Sequence, residues 1–130
     1  MHYVNLVAIL AVIQFMSFII LTGRARVVSG LQAPAVTGDE GFERMYRVQM
    51  NTLELLIAFL PSLFLAAQYW PAPIVAGIGA VFLVGRFAYW RGYVSAPAKR
   101  ATGFLLSLFP TTILALMAIV GIILALVKNA

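Results

Sequence analysis

From Val4 to Leu21 the chain is almost continuously apolar, with Gln14 and Ser17 as minor interruptions. A run of this length suits one crossing of a bilayer, which takes about 20 residues. Inside hydrocarbon every backbone N–H and C=O must find its partner within the segment, so such a run is restricted to helix. No positive residue stands in front of it, and Arg24 and Arg26 follow it. That is the reverse of a secretory leader, so it reads as a retained first helix over about 4–22. Across the whole chain 63% of residues are hydrophobic and 10% charged. A soluble protein carries roughly 25% charged residues, so the composition points to an integral membrane protein.

Three more spans follow, over about 42–69, 74–93 and 103–127. Between the first two, Gly30, Pro34, Gly38 and the pair Asp39-Glu40 break any periodicity, and 24–41 reads as a loop. Trp70-Pro71-Ala72-Pro73 reads as a tight uncharged turn, with Tyr69 and Trp70 suited to the membrane interface. Residues 95–102 form a short basic loop with Pro97, Lys99 and Arg100. Pro61 and Pro110 fall inside spans, where each removes a backbone donor and is expected to kink its helix. The expected fold is all-α: one domain over 1–130, an integral membrane four-helix bundle with up-down topology. Basic residues gather in the loops after helices 1 and 3, and the loop after helix 2 carries no charge. The positive-inside rule then sets the 24–47 and 86–100 clusters on the cytoplasmic side and both termini opposite. The membrane would be the inner one in a bacterium and the endoplasmic reticulum in a eukaryote. Ala72, Ala76 and Ala80 fall four apart beside Gly77 and Gly79, a spacing that allows close helix approach within a subunit or between subunits.

Several chemistries drop out. There is no cysteine, and the single histidine is His2 at the N-terminus, so neither a metal site nor a histidine-based triad is expected. The net charge of +5 follows membrane topology and implies no nucleic acid. Gly77 and Gly79 follow no strand and make no nucleotide fingerprint.

What remains is a charged row on an apolar helix. Glu43, Arg47, Asn51 and Glu54 are spaced i, i+4, i+8 and i+11, within a narrow arc of helix 2. A charge at the centre of a membrane helix costs about 2.5–3.5 kcal/mol on insertion scales. Arg86, Tyr89 and Tyr93 share one face of helix 3. Pooling the residues at that end gives Arg26, Arg47 and Arg100 as cations, Glu54 as an anion, and Gln49, Asn51, Tyr89 and Tyr93 as hydrogen-bonding groups. Such an inventory suits a small zwitterion with several carboxylates and one amine, a peptide-like thiol such as glutathione among them. The bland alternative is that Arg47 and Glu54 neutralise each other and the tyrosines anchor the interface. Gln49 points about 160° away from Arg47, so joining the same site would need a second helix or a neighbouring subunit.

Phe42-Glu43-Arg44-Met45-Tyr46-Arg47-Val48-Gln49-Met50-Asn51-Thr52-Leu53-Glu54 resembles the signature of the MAPEG family, the membrane-associated proteins of eicosanoid and glutathione metabolism. Ala33-Pro34-Ala35-Val36-Thr37-Gly38, Tyr89-Trp90-Arg91-Gly92-Tyr93 and Lys99-Arg100-Ala101-Thr102-Gly103-Phe104 look like it too. The resemblance covers about 24–108 and looks closest to the branch of the type-two microsomal glutathione transferases and the leukotriene-forming synthase. It implies a homotrimer with glutathione as co-substrate, held between adjacent subunits. Arg26, Arg47, Gln49, Asn51, Glu54, Tyr89 and Tyr93 would bind the tripeptide, and Arg100 would act catalytically by stabilising its thiolate. The second substrate would be a lipophilic electrophile or a lipid hydroperoxide, dissolved in membrane lipid. Leu55 stands where the leukotriene-forming synthase has a tyrosine. The family's non-enzymatic lipid-binding scaffold looks different where Arg47 and Arg100 fall, which favours an enzyme over a scaffold. A four-span multidrug transporter would be expected to carry an acidic residue in helix 1, and none is there.

Overall fold

A computed structural model describes all 130 residues. Four long helices carry the chain: α1 (His2–Ser29), α2 (Glu40–Tyr69), α3 (Ala72–Ser95) and α4 (Arg100–Lys128), with a 3₁₀ turn at Pro97–Lys99 before the last. Each of the four is long and apolar enough to cross a membrane. α1 packs on α2 and α3, and α4 packs on the same two helices, so α2 and α3 form the middle of the bundle.

Helix ends are set by caps, and they fall outside the apolar runs. α1 continues beyond residue 22 to Ser29 and stops at Gly30, whose φ of 74° is the left-handed cap conformation. The Gly30 N–H donates to the carbonyls of Arg26 and Val27. Arg24 and Arg26 therefore ride on a helix where a loop was expected. α2 starts at Asp39, whose carboxylate accepts from the Phe42 N–H at 2.9 Å, while the Glu43 carboxylate accepts from the Gly38 N–H at 3.1 Å. Both acids also sit where the helix dipole favours negative charge. α4 begins at Arg100, ahead of the expected 103. Pro61 and Pro110 lie inside helices that continue through them.

The core runs along the axis of the bundle. Phe59 of α2 and Phe82 of α3 stack at 3.8 Å between ring centroids, surrounded by Val4, Val7, Leu63, Val75 and Leu114, all buried. Nearer the charged end a smaller cluster joins Phe18, Met45, Val48 and Tyr89. Two half-buried polar ties hold elements together: the Gln14 side-chain N–H donates to the Leu83 carbonyl at 3.0 Å, and the Trp70 indole N–H to the Met117 carbonyl at 2.7 Å. Trp70 thus fastens the turn between α2 and α3 to α4; that turn is only residues 70–71, because α3 starts at Ala72, ahead of the expected 74.

The closest helix approach is between α3 and α4. A Cβ on Gly103 would lie 2.1 Å from the Tyr89 backbone nitrogen, and one on Gly85 would lie 2.6 Å from the Leu106 carbonyl carbon. Backbone meets backbone at both points. The small-residue stretch at the start of α3 is divided: Ala76 and Gly79 are buried, Gly79 against Val7 and Leu63, while Gly77 and Ala80 face outward.

The Gly103→Ala variant should therefore lose about 1–3 kcal/mol of stability or more, because the clash is with backbone that cannot rotate away. Gly23→Ala, with nothing within 4 Å of the added carbon, should gain roughly 0.5–1 kcal/mol from helix propensity. Thermal unfolding of the two variants in detergent checks the contrast.

Candidate functional site

The short connection after α3 is held in place by α2. Arg44 donates from Nη1 to the carbonyls of Val94 at 3.1 Å and Ser95 at 3.4 Å, and its other terminal nitrogen pairs with Glu40. Those carbonyls belong to the last turn of α3, where the helix has no N–H left for them, so a cation there satisfies both charge and valence. The chain then makes the 3₁₀ turn and delivers Arg100 as the first residue of α4. Arg100 bends back to donate to the Pro97 carbonyl at 2.8 Å.

This arrangement opens a cleft of about 690 Å³ between α2, α3 and the start of α4, lined by Arg47, Asn51, Tyr89, Tyr93, Ala98, Arg100, Ala101 and Phe104. A smaller hollow of about 430 Å³ adjoins it across Arg47 and Tyr93, edged by Glu40, Glu43 and Tyr46. Tyr89 and Tyr93 stand one turn apart with ring centroids 5.5 Å from each other. Two guanidinium groups, one amide and two phenols thus converge on one concavity that Ala98, Ala101 and Phe104 line with apolar surface. The chemistry on offer is recognition of an anionic, hydrogen-bonding molecule at the edge of an apolar phase.

Five of the eight residues singled out from sequence meet here: Arg47, Asn51, Tyr89, Tyr93 and Arg100. The other three do not line the cleft. Gln49, about 160° round the helix from Arg47, is on another side of α2. Glu54 is exposed and reaches Arg47 along the helix at 3.8 Å, with the two side chains 60% and 52% exposed. Arg26 donates to the Ala35 carbonyl at 2.8 Å and lies over the Phe42 ring at 4.4 Å, bracing the 30–39 loop on α2.

Beneath the cleft lies a residue that sequence reading set on the right face without giving it a role. Arg86 is completely buried. Its Nε donates to Ser107 Oγ at 2.8 Å, and its Nη1 donates to Asn51 Oδ1 at 2.7 Å and to Thr52 Oγ1 at 3.2 Å. The guanidinium carbon sits 4.4 Å from the centroid of the Tyr89 ring, while Nη2 has no partner. The available signal was a lone arginine in the middle of an apolar run.

The fold and cleft define a four-span membrane protein with a polar, cationic site at one end of the bundle. The chain belongs to the MAPEG family, whose model matches residues 4–120. It is 45% identical over 118 residues to an uncharacterized protein from Synechocystis sp., covering 91% of this chain and 86% of that one. Microsomal glutathione S-transferase 2 of Mus musculus is 38% identical over 116 residues, covering 89% of this chain and 79% of its own length. Leukotriene C4 synthase of Cavia porcellus is 32% identical over 100 residues, covering 77% and 67%.

Because the Arg47–Glu54 pair is long and more than half exposed, it should contribute less than about 1 kcal/mol to folding. Arg47→Ala should therefore leave the ligand-free melting temperature within a few degrees of wild type. A large drop would show that Arg47 serves the fold.

Proposed function

We infer that this protein is a membrane-bound glutathione transferase, in the branch of the type-two microsomal enzymes and the leukotriene-forming synthase. It conjugates glutathione to lipophilic electrophiles and carries a peroxidase side activity toward lipid hydroperoxides. The observation that carries the reading is the convergence of Arg47, Asn51, Tyr89, Tyr93 and Arg100 on one cleft beside an apolar wall. Two curated relatives named for glutathione transfer and leukotriene C4 synthesis add support.

In this reading the arginines hold the carboxylates of the tripeptide and Glu54 takes its amine. Glu54, Gln49 and Arg26 stand outside the cleft of one chain, so a neighbouring subunit would have to bring a second set of groups, as in a homotrimer with the site between subunits. The cleft end faces the cytoplasm, the source of glutathione. A free thiol has a pKa near 8.5 and is only a few per cent ionised at neutral pH. A guanidinium beside the sulfur favours the anion, and each unit of lowering is worth about 1.4 kcal/mol. Arg100, at the junction of the 3₁₀ turn and α4, is the cation assigned to that task. The thiol proton goes to water; the thiolate attacks an electrophilic carbon, and the carbon–sulfur bond forms as the leaving group departs, a halide as its anion, whereas an alkoxide takes up a proton from water. With a hydroperoxide the thiolate splits the O–O bond, releasing an alcohol. A second glutathione then condenses with the oxidised sulfur to give the disulfide and water.

Conjugation of glutathione to a generic aryl halide by the detergent-purified protein tests the reading, and no turnover would overturn it. Arg47→Ala and Glu54→Ala should each weaken glutathione binding by about 2–5 kcal/mol if the pairs are desolvated. Calorimetric titration measures this, and unchanged affinity in both would remove them from the site. Arg100→Ala should still bind glutathione but lose the thiolate absorbance at neutral pH. Its rate should recover as pH approaches the free-thiol value near 8.5. A slower variant with an unaltered pH profile would leave Arg100 a positioning residue. Mass measurement in detergent should give a trimer; a fully active monomer would sink the intersubunit site.

A further inference from the structure

We propose that Arg86 is a positioning residue that locks the Asn51 side chain in one orientation, so that the cleft presents amide N–H donors and therefore selects an acceptor group, a carboxylate or carbonyl oxygen, at that point. The argument rests on donor chemistry. A guanidinium has five N–H donors and no acceptor. Arg86 Nη1 lies 2.7 Å from the Asn51 side chain, and only the amide oxygen can face it there. The two orientations of an asparagine amide are otherwise close in shape, and neighbouring groups decide between them. Here the neighbour permits one. The Asn51 NH₂ is left for the cleft that Asn51 lines, and no protein group takes it up.

Arg86 itself cannot turn away. It is fully buried, its Nε is held by Ser107 of α4 at 2.8 Å, and Nη1 also reaches Thr52 at 3.2 Å. Ser107 in turn donates to the Gly103 carbonyl at 2.7 Å, so its hydroxyl hydrogen is committed and its oxygen is free to accept from Arg86. The Tyr89 ring lies on the guanidinium at 4.4 Å and is itself a wall of the cleft. One buried cation thus sets two lining groups, Asn51 by hydrogen bond and Tyr89 by cation–π contact, and joins α2, α3 and α4 beneath them.

With glutathione as the ligand, which rests on the transferase reading above, Asn51 takes an acceptor oxygen of the tripeptide and never its ammonium group. Asn51→Asp separates this from a merely structural role. A carboxylate still accepts from Arg86, so the variant should melt at or above the wild-type temperature, whereas Asn51→Leu, with no acceptor, should melt lower. The same Asn51→Asp protein should bind glutathione about 10- to 100-fold more weakly, because the donors are gone and an anion has replaced them. Arg86→Lys, which keeps the charge but can turn its donors elsewhere, should raise KM for glutathione more than it lowers kcat. Asn51→Asp that binds glutathione like the wild type would overturn the proposal. So would Asn51→Asp melting as low as Asn51→Leu. If the wild-type chain binds no glutathione at all, the transferase reading fails, and the two melting temperatures alone decide whether Arg86 holds the Asn51 oxygen.

Discussion

A single buried cation sets the terms for the rest of this bundle. Arg86 sits in a membrane-spanning helix with none of its surface exposed. An arginine at the centre of a span costs about 2.5–3.5 kcal/mol on insertion scales, and more where water cannot follow it. Three hydrogen bonds to Ser107, Asn51 and Thr52 are available to offset that, each worth about 1.5–3 kcal/mol for a charged donor. The Tyr89 ring adds a further contact of the cation–π kind. The sum favours burial only while all partners are in register, and those partners come from three helices. The position of α4 relative to α2 and α3 is therefore tied to the charge.

That register explains the glycines. Ser107 can reach Arg86 only if α4 lies close against α3, and Gly85 and Gly103 are where the two backbones meet. In lipid there is no hydrophobic penalty to drive helices together, so close backbone approach and polar ties do the work. The Gln14–Leu83 and Trp70–Met117 bonds serve the same end, joining α1 to α3 and the α2–α3 turn to α4. The aromatic stack of Phe59 on Phe82 fills the volume between.

The cleft is a consequence of the same geometry at the charged end. Arg44 ties the end of α3 to α2, the 3₁₀ turn follows, and α4 enters with Arg100 at its first position. The buried Arg86, Thr52 and Ser107 lie below, and the exposed Arg47 and Arg100 stand at the rim. Such a division suits recognition of a polar molecule at a boundary with lipid, with cations at the rim and hydrogen-bonded groups beneath.

Four apolar runs in one short chain already demanded four membrane helices, because backbone in hydrocarbon has no other partners. The i, i+4, i+8 row likewise set Arg47 and Asn51 on one stripe of α2, since helical period alone decides that. The ends of α1 and α4 were not legible from hydropathy, because Gly30 and the Pro97 turn determine them, not the edge of the apolar run. Nor could period tell that Glu54 would lean on Arg47 outside the cleft, or that Arg26 would brace a loop. Arg86 shows the difference most clearly: its face was visible in the spacing with Tyr89 and Tyr93. Its partners Ser107, Asn51 and Thr52 lie 21 to 35 positions away in the chain. Spacing along one helix carries no information about which residue of another helix will stand opposite, and only the packing of α2, α3 and α4 decides it.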